Sequence, residues 1–112
     1  MGFLVAFTRQ MYLTSYVHSL QVKVKDITEQ KLELTETISQ LSTQISDIGD
    51  NDSPAVKKLK ARMTELENLD KQLEMRMKKY QTQLDAANAE LQSTTQGVQQ
   101  LAQSSFSPKY CQ

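Results

Sequence analysis

The stretch ISDIGDNDSPAVKKL, residues 45–59, decides the fold, because it sets a helix stop and a helix start back to back between two apolar stripes. Gly49 follows Ile48 where a helix commonly ends in the left-handed conformation, which glycine adopts without a Cβ penalty. Asp52 and Ser53 are both able to cap a helix N-terminus. Pro54 suits the first helical position, where a missing N–H costs nothing. Residues 49–55 therefore read as a turn joining a helix over about 3–48 to a helix over about 54–103, with a flexible tail over 104–112.

Outward from the turn the two stripes keep the same period. From Ile48 towards the N-terminus, alternating steps of three and four visit Ile45, Leu41, Ile38, Leu34, Lys31, Ile27, Val24, Leu20, Val17, Leu13, Gln10, Ala6 and Phe3. From Val56 onwards the same steps visit Leu59, Met63, Leu66, Asp70, Leu73, Met77, Tyr80, Leu84, Ala87, Leu91, Thr94, Val98 and Leu101. Each is the a/d seam of a coiled coil, and a helix of this length with one apolar edge requires a partner along that edge. Folding back at the turn supplies it. Residues whose numbers total 104 then share a layer: Ile45 with Leu59, Ile38 with Leu66, Val17 with Ala87, Phe3 with Leu101. The predicted fold class is all-α, a long antiparallel two-helix coiled-coil hairpin forming a single domain over 1–112.

The four polar seam residues test this register. Gln10 falls opposite Thr94, so two neutral side chains share a layer and can hydrogen-bond. Lys31 and Asp70 fall in adjacent layers on opposite helices, close enough for a long lysine to reach the carboxylate. An unpaired buried charge is costly, so Lys31 either pairs with Asp70 or extends its ammonium to water. On both readings the polar layers discourage slippage of one helix along the other.

Charge is segregated along the chain although it balances overall. Residues 26–52 carry seven acids and one base, Lys31, whereas residues 53–79 carry eight bases and four acids. This complementarity supports pairing of the two arms within one chain. Exposed pairs contribute only a few tenths of a kcal/mol each, so the effect biases orientation more than it stabilises.

The N-terminal segment has more apolar surface than one seam requires. Beyond Phe3, Ala6, Leu13 and Val17, it carries Leu4 and Met11 at b, Val5 and Tyr12 at c, Phe7 at e and Tyr16 at g. A helix apolar most of the way round expects burial on more than one side. Phe3, Leu4, Val5, Phe7, Met11, Tyr12 and Tyr16 are accordingly the candidate oligomer interface. The competing expectation is that Phe106 and Tyr110 fold over this segment. Further along the first helix the e and g positions are almost uncharged, with Thr14, Thr28, Thr35 and Thr37 among them, which would let another helix pack beside it.

Catalytic and ligand chemistry has little support. One histidine, His18, and one cysteine, Cys111, cannot form a metal cluster, and Gly2, Gly49 and Gly97 are isolated rather than gathered in a phosphate loop. No cofactor or enzymatic activity is expected. The basic runs at 57–62 and 76–79 face an acidic arm and lack aromatic stacking partners, so nucleic acid is not the expected partner. Arg9 interrupts the first apolar run too early for a membrane span, and Met1 to Phe7 lack a basic leader region. The expected location is cytoplasmic, or outside the cell after export without a cleaved signal.

A short helical hairpin with an Asp/Asn/Pro turn (Asp50-Asn51-Asp52-Ser53-Pro54) and apolar termini brought to one end resembles the needle and filament subunits of type III secretion and flagellar-type systems. That resemblance implies polymerisation through terminal helices and export without a cleaved signal. The functional expectation is a self-assembling structural protein whose partner is itself. The alternative is a monomeric or dimeric adaptor or chaperone that binds another helical protein along the neutral flank. The register carries its own test. With Cys111 changed to Ser, cysteines at 38 and 66 are expected to form an intrachain disulfide under mild oxidation at low protein concentration, read as a mobility shift on non-reducing gels. Links formed solely between chains would refute the hairpin.

Overall fold

The computed structural model describes residues 2–106, with side chains through Ser104. The fold is an all-α helical hairpin, α1 over Phe3–Ile48 and α2 over Pro54–Phe106, with no strand among the described residues. Helix α2 runs three residues beyond its expected end. The rest of the expected tail, with Tyr110 and Cys111, lies outside the described residues, as does any packing of Phe106 and Tyr110 over the first turn of α1.

The turn is built as its residues dictate, and α2 begins at Pro54, the residue expected to open it. Gly49 has φ of 77°, and its N–H still donates to the Ile45 carbonyl at 3.3 Å. No atom lies within 4 Å of a Cβ added there, so the requirement for glycine is conformational and not one of space. Asp50 closes the bend twice over: its Oδ1 accepts from the Asp52 N–H at 3.0 Å, and its carbonyl accepts from the Ser53 N–H at 3.2 Å. Of the two candidate caps Ser53 is the one used. Its Oγ accepts from the Val56 N–H at 3.2 Å, and its carbonyl accepts the first helical bond, from the Lys57 N–H, at 3.1 Å.

Contacts divide the described residues into two units, one pairing the chain up to Lys23 with the part of α2 from Tyr80 onwards, the other formed by Val24–Lys79. In the first, Leu13, Val17, Leu20, Ala87 and Val98 are buried. Val17, Leu20 and Ala87 form a cluster against which Tyr80, Leu84 and Leu91 pack, so the layers totalling 104 are the ones that form. Pairing here is antiparallel. Arg9 and Gln10 reach Glu90 and Thr95, whereas Lys23 lies over the Tyr80 ring at 5.3 Å. In the second unit Ile27, Leu34, Val56, Leu66 and Leu73 are buried, and Lys31 contacts Asp70. Among the described residues all ten buried apolar side chains are at seam positions, and every residue of α1 outside the seam is exposed.

The seam opens at one place. Ile48, expected to meet Val56, is 44% exposed while Val56 is 0% exposed. Ile48 is the last residue of α1, and the left-handed Gly49 turns the chain away immediately after it, so the final layer is covered from one side only. Burial otherwise follows the period of the sequence closely enough to give a direct prediction. Leu20→Ala, at a position 1% exposed, is expected to cost about 2–4 kcal/mol. Leu32→Ala, at an exposed b position, should stay within about 0.5 kcal/mol. Urea unfolding followed by far-UV circular dichroism measures both.

Candidate assembly surface

Side chains at a and d positions turn towards the partner helix, so anything apolar at b, c, e or g is left to water unless another molecule covers it. Leu4, Val5, Phe7, Met11, Tyr12 and Tyr16 are all in this situation, with Leu4 76%, Met11 59% and Tyr12 57% exposed. Six of the eleven large exposed apolar residues of the described chain fall within these thirteen positions. Phe3, the seventh member of the expected interface, is half-buried because its a position faces the seam.

The rings in this segment are already organised. Phe3 and Phe7 stack with centroids 5.7 Å apart, and Tyr12 and Tyr16 stack at 6.2 Å with their planes 11° apart, each pair one helical turn apart on a common edge. Arg9 ties the segment to α2. Its guanidinium lies over the Tyr12 ring at 5.2 Å while pairing with the Glu90 carboxylate. Arg9 and Glu90 are both g positions, which an antiparallel pair sets side by side, so the heptad register could have identified this contact. Shallow grooves flank the rings, one lined by Leu4, Val5, Thr8, Arg9 and Tyr12 and another by Gln10, Met11, Thr14, Ser15 and His18.

The polar layers differ in detail from their expected form. Gln10 Nε2 donates to Thr95 Oγ1 at 3.1 Å and not to Thr94, its partner by register. Thr95 is an e position at the seam's edge, and the long glutamine carries its amide out of the apolar layer to reach it. Lys31 does pair with Asp70, Nζ to Oδ1 at 3.3 Å, and it also donates to Glu74 Oε2. Glu74 lies one turn beyond Asp70 on the flank, where the lysine can extend past the seam. The Asp70 contact has the distance of an ion pair without the angle of a hydrogen bond, so Oδ1 is charge-compensated but accepts no hydrogen bond. The Glu74 hydrogen bond, opposed by partial desolvation and reinforced by Asp70, holds Lys31 above the ordinary lysine range. The same ammonium holds Glu74 below the ordinary carboxylate range.

Segregated charge does not bring the arms together as expected. Asp26, Glu29, Glu33 and Glu36 follow one another at steps of three and four, at c and f positions on the outer face of α1, where they are exposed and make no ion pair with α2. Among the described residues no group of acidic, histidine or cysteine side chains is arranged to hold a metal ion, and no helix is long and apolar enough to cross a membrane. Comparison with protein-family models, curated proteins and solved structures finds no match to this chain.

The Lys31 cluster predicts a pH dependence. A carboxyl lowered by folding stabilises the fold above its unfolded pKa and loses that contribution as pH falls through its folded value. The stability difference between the native chain and Glu74→Gln should therefore be constant at neutral pH and shrink below about 4.3, the unperturbed glutamate value. Lys31 has the opposite sign, its share being complete below the ordinary lysine value and lost as pH rises past its raised one. Urea midpoints measured from acid to neutral pH give the first limb. A difference that stays constant down to pH 3 would show that the pair makes no net contribution.

Proposed function

We propose that this chain is a non-catalytic structural protein that assembles with copies of itself through the apolar surface of α1 between Phe3 and Tyr16, in the manner of a secretion-system or filament subunit. The observation that carries this reading is the concentration of exposed apolar side chains in one segment whose own partner helix leaves them uncovered. Exposed apolar surface of this density marks contact sites on folded proteins, since scattered single residues are common and contiguous ones are not. The stacked rings support it further. They lose little conformational freedom on association because the helix and Arg9 already hold them.

A second reading, an adaptor or chaperone that binds a client helix beside α1, draws on a separate observation. The hydroxyls of Thr28 and Thr37 donate to the Val24 and Glu33 carbonyls one turn back, at 2.8 and 3.0 Å. Their hydroxyls are satisfied within the helix, which lowers the cost of covering them. This reading expects a stable monomer or dimer that needs a foreign partner, whereas self-assembly needs none.

Deleting residues 1–16 would remove buried Leu13 along with the surface, so substitution is the cleaner test. The full chain at tens of micromolar is expected to sediment as an oligomer in analytical ultracentrifugation. The double variant Met11→Glu with Tyr12→Glu should sediment as a monomer with unchanged helicity, because both positions are exposed. A monomeric full chain at that concentration would refute self-assembly.

A further inference from the structure

The fold leaves the segregated charge of this chain unused. Between residues 26 and 36 the acids Asp26, Glu29, Glu33 and Glu36 lie exposed on the outer face of α1, while the one base of that span, Lys31, turns inward to Asp70 and Glu74. The same contact occupies both acids of α2 between residues 70 and 79. What is left there is basic, with Lys71 and Lys78 at b, Arg76 at g and Lys79 at c, all exposed. Neither the four acids nor Lys71, Arg76 and Lys78 make an ion pair among the described residues.

The two charged faces stand at one level of the unit formed by Val24–Lys79, since Lys31, in the middle of the acidic run, reaches Glu74, which lies between Lys71 and Lys78. Their lengths are comparable. The acids cover about 15 Å of α1 and the bases from Lys71 to Lys78 about 10 Å of α2. Each face also carries one large apolar side chain near its middle, Leu32 at b on α1, 67% exposed, and Met75 at f on α2, 71% exposed. An apolar anchor within a polar rim is how a contact site is built. Lys25, at b, borders the acidic run where it begins.

We infer that copies of this chain pack side by side, the acidic face of α1 around Leu32 in one copy lying against the basic face of α2 around Met75 in the next. Charge complementarity names the occupant, because each face finds its opposite on another copy of the same chain. A copy displaced sideways without rotation sets α2 antiparallel to its neighbour's α1, as within the hairpin, and brings acids and bases to the same level. A two-fold pair placed side by side sets acid on acid or base on base, so the favoured contact joins two different patches and can continue from copy to copy. With one apolar side chain and three or four charges on each side it belongs to the small, transient class of interface. Exposed ion pairs are individually weak and are screened by salt, so the contact is weak and salt-sensitive. It fills where copies are already held near one another at an effective concentration of about a millimolar. It is separate from the apolar surface between Phe3 and Tyr16.

The test uses the Met11→Glu, Tyr12→Glu chain, so that its result is independent of that apolar surface. At about 0.5 mM chain and about 20 mM salt, where screening reaches over roughly 20 Å, the sedimentation coefficient should rise with concentration; at about 0.5 M salt it should return to the monomer value. Carbodiimide coupling of a mixture of labelled and unlabelled chains, read by mass spectrometry, should join Lys71 or Lys78 of one copy to Glu29, Glu33 or Glu36 of another. A swapped chain carrying Glu29→Lys, Glu33→Lys, Lys71→Glu and Lys78→Glu keeps a net charge of zero, and all four positions are exposed, so its circular dichroism should be unchanged. It should associate with itself as the unswapped chain does, and couple to the unswapped chain at least tenfold less. Swapped and unswapped chains that couple to each other as readily as to themselves would overturn the contact. So would a Met11→Glu, Tyr12→Glu chain that stays monomeric at low salt, and if the full chain assembles at tens of micromolar that result leaves the apolar reading standing.

Discussion

Burial of one apolar edge of each helix against the other is the interaction on which the rest of this molecule depends. Helices of 46 and 53 residues, rich in threonine, glutamine and serine, have little stability of their own, and their order comes from tertiary packing of the seam. Among the described residues ten seam side chains are buried, and the side chains of α1 outside the seam stay in water. A core one layer wide constrains a quarter or so of the sequence tightly and the rest loosely. That division lets unusual surface chemistry, such as six large apolar residues in the first heptads or an acidic stripe on the back of α1, persist without disturbing the fold.

The polar seam positions limit the ways two such edges can meet. A purely apolar stripe repeating every three and four residues could shift by a heptad at modest cost. Lys31 makes such a shift expensive in one direction, because the heptad of slippage that sets it opposite Tyr80 takes its ammonium away from both Asp70 and Glu74. Gln10 and Thr95 make a weaker, neutral version of the same restriction near the other end of the helices. Between them the Asp50 bend, the Ser53 cap and the left-handed Gly49 fix where the chain reverses.

Most of the fold was legible in the sequence because its rules are periodic: the seam, the register, the turn and the adjacency of Lys31 to Asp70 all follow from counting. What escaped counting depends on side-chain reach and on ends. Gln10 chose Thr95 over Thr94, and Lys31 extended to Glu74, because long side chains leave the layer of their own Cα. Ile48 is exposed because a terminal layer has a neighbour on one side only. The arms' opposite charge misled for an angular reason: Asp26, Glu29, Glu33 and Glu36 share an arc of the helix that points away from α2, which a tally of charge by segment does not register. For the candidate surface, heptad lettering placed each of the seven residues correctly on the helix. It could not give the groove that Thr94, Gly97 and Leu101 of α2 form beside Val5, Ala6 and Arg9, since that depends on side chains of both helices.

The sequence distance across the seam has a consequence during synthesis. Arg9 meets a residue 81 positions later and Gln10 one 85 positions later, so the first heptads of α1 emerge from the ribosome long before their mates exist. At about 5–20 residues per second that interval is several seconds, far longer than a nascent helix takes to form or collapse. Throughout it the most apolar stretch of the chain has its seam face uncovered as well as its two flanks. The hairpin cannot close until α2 has emerged, so translation rate sets how long this stretch stays uncovered.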